Sequence, residues 1–246
     1  MTKLLSRFSA ILSVFIGVMF SLGIVTAGGS ASAKTMKQTI NIGIYAPFST
    51  KSAYIGRNIL AAMEIARDQI KSADINYEFY TLDAQPANAH AADTIQKFIN
   101  ARHINVLLTE GAASGTVVSP LAAKNNVIHF CLGCDAVADG KNNFQTQSPN
   151  HQRGAVLANT LKPEFVTQFK QEYFSQPVTE AGYAYDIFHL LNTSAQIAMK
   201  SNTKFSSGAI AAQLLALESG AGVMGTFNLN KNGVAYNKIN PMKGIV

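Results

Sequence analysis

Apolar residues fall in two rhythms along this chain, and the rhythms alternate. Ile40 to Tyr45 is a short apolar run that enters a polar loop, Pro47 to Ser52. Beyond it, apolar positions recur at Ile55, Ile59, Ala62, Met63, Ala66 and Ile70, the spacing of one helix face. Ile75 to Leu82 mixes β-branched and aromatic residues in partial alternation and predicts a strand ending at Asp83. Pro86 to Arg102 predicts an amphipathic helix, with Pro86 near its start and Ala91, Ile95, Phe98 and Ile99 on one face. Ile104 to Leu108 predicts a buried strand, Thr109 to Gly115 a loop of small residues, Thr116 to Lys124 a helix, and Val127 to Phe130 a further strand. Such alternation predicts an α/β fold: an open, mostly parallel sheet with helices on both faces and right-handed crossovers.

In a parallel sheet the loops that follow the strands open at one edge, where ligands are held. Candidate ligand contacts are Ser49 and Ser52 after the first strand, Gly111, Ala112 and Ser114 after the third, and Gly133, Cys134 and Asp135 after the fourth. Small residues let a ligand approach the backbone, and a helix starting near Ser114 would offer unpaired N–H groups to a carboxylate. Taken alone, the glycine-rich loop is more simply a tight turn. Three such loops at one edge favour a ligand site. Neither G-x-G-x-x-G nor G-x-x-x-x-G-K-[ST] occurs, so no nucleotide cofactor is expected, and no other cofactor is called for. No nucleophile, base and orienting carboxylate can be grouped, which favours a binding module over an enzyme. His129 reads as a satisfied core histidine; His151 and His189 lack partners at metal-ligand spacing.

The first 33 residues have a different character. Lys3 and Arg7 precede an apolar core, Ile11 to Ile24, and Ala31-Ser32-Ala33 supplies an A-x-A cleavage site ahead of Lys34. The apolar run is shorter than the ~20 residues a spanning helix needs. Residues 1–33 therefore predict a cleaved signal peptide and a soluble periplasmic chain from residue 34 to 246. Without Lys3 and Arg7, the 20 basic residues fall to 18 against 14 acidic, spread without a basic run or stripe. Nucleic acid is a disfavoured partner. Cys131 and Cys134, the only two cysteines, form a C-x-x-C pair. In an oxidising compartment they can form a short disulfide or stay as quiet thiols. A thioredoxin-like pair is disfavoured, because there the motif opens a helix whereas here it ends a strand.

Several blocks, in order, carry a likeness to a known family. IGIYAPFS, the helix with Gly56 and Ala61-Ala62, and IQKFINARHINVLLTEGAASGTVVSPLAAKNNVIHFCLGCDA resemble the first domain of the periplasmic binding proteins of the branched-chain amino-acid type. FQTQSPNHQRGAVLANTL resembles the segment leading out of that domain; KPEFVTQFKQEYFSQPVTEAGYAYDIFHLLNTSAQIA, with Tyr185-Asp186, resembles a later one. GVMGTFNLNKNGVAYNK, a hairpin around Lys231-Asn232-Gly233, is similar to the closing stretch, which in the family helps finish the other lobe.

The likeness implies a solute-binding component of an ABC uptake system for amino acids or small amides, with a membrane permease as partner. It also implies that the first lobe holds the ligand's carboxylate and ammonium, through a serine after the third strand and a hydroxyl after the fourth. Alignment from Ser119 and Val127 places the serine position nearer Ala112 than Ser114, and the hydroxyl position on Asp135. In the family a second α/β domain stands where residues 161 and 162 are here directly joined. The expected organisation is a single lobe: βα units over 34–161, returning helices over 162–217 and a hairpin over 218–246. Such a lobe would be half a cleft, whose bared apolar face a second copy could cover; a non-transporting remnant is the alternative.

Overall fold

Five parallel strands form the central sheet: β1 (Gln38–Ala46), β2 (Ile75–Asp83), β3 (Val106–Glu110), β4 (Ile128–Leu132) and β5 (Asn143–Gln145), in the order β2-β1-β3-β4-β5. Between and after them run α1 (Ala53–Ile70), α2 (Ala91–Arg102), α3 (Ser114–Asn125), α4 (Pro163–Tyr173), α5 (Thr179–Ser201) and α6 (Ser207–Ala216). The computed structural model describes residues 37–84, 90–111, 114–133, 138–146, 161–201, 206–217 and 221–237. Thr35–Val246 forms one compact unit. The segment expected to be a signal peptide lies outside the described residues.

β1 is buried on both faces, as the central strand of a doubly covered parallel sheet must be. Ile40, Ile42 and Ile44, each fully buried, meet Ile59 and Met63 of α1, in a core that also takes Phe169 of α4, Phe188 of α5 and Ile210 of α6. Each such isoleucine contributes about 1.5–3 kcal/mol. On the other face Tyr45 and Leu107 pack with Ile95 and Ile99 of α2 and Val118 and Ala122 of α3. The open parallel sheet with helices on both faces, expected from the alternation, is the fold that forms.

Element edges differ from the expected ones in an instructive way. β3 begins at Val106 rather than Ile104, because His103 turns left-handed (φ 48°) and Ile104 N–H returns to Ile99 O at 3.0 Å, closing α2. β3 then runs on through Thr109 and Glu110, and β4 runs through Cys131 and Leu132. The strands stop where glycines take positive φ, Gly111 at 103° and Gly133 at 61°. The three-residue β5 was not expected; it is too short to carry a pattern.

The C-terminal stretch forms β6 (Ala221–Gly222), β7 (Gly225–Leu229) and β8 (Ala235–Asn237), with β7 and β8 antiparallel across the expected Lys231-Asn232-Gly233 turn. Asn230 Oδ1 accepts from the N–H groups of Asn232 and Val234, which pins that turn. The hairpin finishes this lobe, not another one. Gln145 N–H donates to Gly233 O at 2.9 Å, joining the turn to the β5 edge. Asp186 of α5 accepts from Val223 N–H and Met224 N–H at 2.7 and 2.9 Å. Leu161, where the described chain resumes, is buried, and Lys162 N–H donates to Val223 O at 3.0 Å.

Candidate ligand-binding site

The strand order reverses at β1. The chain goes outward from β1 to β2 through α1, then crosses back through α2 to β3 on β1's other side. Consequently α1 leaves β1 toward one face of the sheet and α3 leaves β3 toward the opposite face. At such a reversal the loops after two adjacent strands leave in opposite directions, and it is outside those carboxyl ends that open sheets hold ligands. Ser49 and Ser52 belong to the loop after β1; Gly111 follows β3 and Ser114 opens α3. Gly133 stands one strand further, at the end of β4. Ala112, Cys134 and Asp135 lie outside the described residues.

On the β1 side the loop is built around Asp83, the last residue of β2. Its Oδ1 accepts from Phe48 N–H at 2.7 Å and Ser49 N–H at 3.2 Å, and its Oδ2 accepts from the Ser49 hydroxyl. Ser49 thus spends its hydroxyl proton on Asp83. Ser52 is the residue ahead of α1, and its hydroxyl makes no capping hydrogen bond. Gly56 seats α1 against the loop: an ideal Cβ there would overlap the Pro47 carbonyl oxygen and press on the Phe48 ring. Tyr45, at the end of β1, is buried; that burial, and secondarily the charge of Asp83, pushes its phenol up.

On the β3 side, the structure corrects the role of Ser114 as a loop residue. It is the first residue of α3, with its N–H donating to Gly111 O at 3.0 Å and its hydroxyl to Glu110 O at 2.7 Å. Its oxygen can accept, while its proton is already engaged. A carboxylate on this wall must look to the backbone N–H groups of the helix terminus, whose dipole favours an anion. Gly133 needs its positive φ, and an added Cβ would meet open space. Cys131 is disulfide-bonded, and no described cysteine is a free thiol.

Behind the β3 wall runs a buried polar chain. Thr109 Oγ1 lies 2.8 Å from His129 Nε2, His129 Nδ1 lies 2.9 Å from Asn143 Oδ1, and Asn143 Nδ2 donates to Asp139 Oδ2 at 2.9 Å. The Asn143 oxygen can only accept, so the network assigns the imidazole proton to Nδ1 and lets Nε2 accept from Thr109. Burial lowers the His129 pKa to about 4, opposed by the Asn143 hydrogen bond. It is the satisfied core histidine expected. Among the described residues no three His, Cys, Asp or Glu side chains could hold a metal.

Sequence reading missed one residue here. Asp83 was placed only as a strand end; its signal was a lone carboxylate ending the strand beside the first loop.

No family model matches the sequence, and no curated protein matches it. Solved structures do share the fold. The branched-chain amino-acid transporter substrate-binding protein LivJ from Streptococcus pneumoniae, in complex with isoleucine, superposes with a TM-score of 0.57 at 12% identity, over 80% of this chain and 93% of that one. The leucine-binding protein LivK from Thermotoga maritima gives 0.59 at 12% identity, over 80% and 93%. An ABC-transporter solute-binding protein from R. palustris, in complex with benzoate, gives 0.63 at 12% identity, over 80% and 91%. At such identities the likeness is one of fold: this chain has the lobe architecture of type I periplasmic binding proteins. No helix among the described residues is long and apolar enough to cross a membrane.

Proposed function

We propose that the chain is a periplasmic solute-binding protein of an ABC-type uptake system, taking a small amino acid of the branched-chain kind and passing it to a membrane permease without chemistry of its own. The observation that carries this reading is the reversal of strand order at β1/β3, whose two flanking loops differ in polarity. The β1 wall offers the Ser49 oxygen beside the Asp83 carboxylate, a setting for an ammonium. The β3 wall offers the start of α3, a setting for a carboxylate. A zwitterionic amino acid presents both groups. The isoleucine of the LivJ structure and the benzoate of the R. palustris structure share the carboxylate, which supports the second assignment. Ala112, Cys134 and Asp135 stay in the proposal as ligand contacts on the ground of the sequence, with the Asp135 carboxylate suited by charge to the ammonium.

A second reading is a single-lobe remnant that no longer transports. It is favoured by the hairpin, which closes the β5 edge of this lobe, and by the presence of one parallel sheet among the described residues. Calorimetric titration with leucine, isoleucine, valine, small amides and benzoate separates the two readings. Millimolar or tighter binding of an amino acid that weakens in Asp83→Ala supports the uptake function. Absence of heat at the highest soluble concentrations favours the remnant.

A further inference from the structure

The opposite edge of the sheet, where the strands begin, carries a cavity of about 400 Å³ whose lining includes Lys37, Arg67, Asp68, Lys71, Ser72 and Asn76. It lies between the end of α1 and the starts of β1 and β2, away from the strands' carboxyl ends. Three cations line it against one carboxylate. Arg67 Nε donates to Asp68 Oδ1 at 2.8 Å, which leaves its terminal Nη groups for another acceptor, and the guanidinium carbon sits 5.3 Å from the Phe79 ring centroid. Lys37 Nζ donates to Ser72 O at 3.1 Å. Among the described residues neither Lys37 nor Lys71 has a carboxylate within 4.0 Å. Ser72 Oγ accepts from Ile75 N–H at 3.2 Å, so its own proton is available to donate.

Part of this charge has a plainer role. Arg67 and Lys71 lie at the end of α1, where cations offset a negative partial charge of about half a unit. That accounts for one cation at most. It does not account for Lys37, which comes from the start of β1 and turns its ammonium to the same cavity.

We propose that this cavity is a second binding site, for a phosphate-type dianion. Lys37, Arg67 and Lys71 less Asp68 leave a lining charge of +2. A phosphate monoester carries about −1.5 to −2 at neutral pH. Its oxygens can meet the arginine fork, both ammonium groups and the Ser72 hydroxyl together. The phosphate can arrive free, as a small phosphorylated molecule, or as the monoester headgroup of phosphatidic acid.

The test uses the purified protein, inorganic phosphate, and vesicles of phosphatidylcholine with or without phosphatidic acid. At low salt, phosphorus NMR and calorimetry are expected to detect phosphate, with affinity falling several-fold as salt rises. Lys37→Gln/Lys71→Gln should weaken it about tenfold or more, and both side chains are exposed, so the fold should persist by circular dichroism. Binding of free phosphate assigns a soluble source; binding only to phosphatidic-acid vesicles, lost in the double variant, assigns a lipid source. Apolar insertion by the N-terminal segment would be unaffected by the double substitution, so vesicle binding that survives it without any loss of free-phosphate binding overturns the proposal. Absence of both forms of binding, or equal affinity in the variant, overturns it as well. Amino-acid binding at the strands' carboxyl ends is measured separately and should not change.

Discussion

Asp83 shows how one side chain can build a wall it does not dominate by size. Its carboxylate gathers two N–H groups and the hydroxyl of the β1 loop. Asp83→Ala should cost about 1–3 kcal/mol in urea denaturation, and Asp83→Asn less, because an amide oxygen still accepts the N–H groups while the Ser49 proton loses its acceptor. Two other buried residues give opposite pH dependences. Burial lowers His129 to about 4, so the unfolded chain binds its proton first as pH falls below 6.5. Stability is therefore lost progressively from pH 6.5 to 4, by about 3 kcal/mol. Burial raises Asp186 to about 6, opposed by the Met224 and Val223 N–H groups and Lys162. Here the folded state binds the proton first, so stability is gained as pH falls from 6 to 3.8, also by about 3 kcal/mol. The two slopes offset each other in the native chain. Chemical denaturation across pH 3.5–7 should show the His129 loss alone in Asp186→Asn, and the Asp186 gain alone in His129→Gln; parallel slopes in the two variants would refute the assignment.

At the scale of elements, the first strand, loop and helix were legible because each obeys one period over its length. Ile40 to Tyr45 places isoleucines at alternate positions, and α1 buries Ile59, Ala62, Met63 and Ala66 on the face its spacing marks. Boundaries were less legible. Ile104 looks like strand yet belongs to the cap of α2, and Ser114 looks like loop yet starts α3. Both depend on hydrogen bonds that no hydrophobic pattern encodes. Gly56 is the contact on which the loop and α1 agree. Gly56→Ala should cost roughly 1–3 kcal/mol by overpacking and weaken ligand binding at that loop, read by denaturation and calorimetry together. A fully stable variant with native affinity would show that the loop yields freely.

For the whole molecule, the hairpin changes the picture most. Its turn was legible at Lys231-Asn232-Gly233, and its destination was not. Gly233 approaches β5 so closely that an ideal Cβ would lie 2.8 Å from Asn143 O, and Gly140 permits the same approach from the other side. A chain ended after Leu217 would leave Asp186 buried without the Val223 and Met224 donors and would bare the β5 edge. We expect a loss of about 3–5 kcal/mol and concentration-dependent association through the exposed edge, measurable by thermal unfolding and sedimentation. A stable monomer would mean the hairpin is an ornament on a self-sufficient lobe.

The sequence by itself determined the class of fold, because hydrophobic period is a local property and a βα alternation leaves few topologies open. It also determined that Ser49, Ser52, Gly111, Ser114 and Gly133 would lie at one edge, since parallel strands end on the same side. Only the tertiary structure decided which loops flank the reversal of strand order. That follows from the order β2-β1-β3-β4-β5, set when α1 and α3 chose opposite faces to bury their apolar stripes. The same folding brought Asp83 to Ser49 and the hairpin to Asp186, contacts spanning 34 and 37 or 38 residues of chain. Contacts at that range are decided by packing, where the chain can satisfy its buried polar groups, and no local pattern announces them.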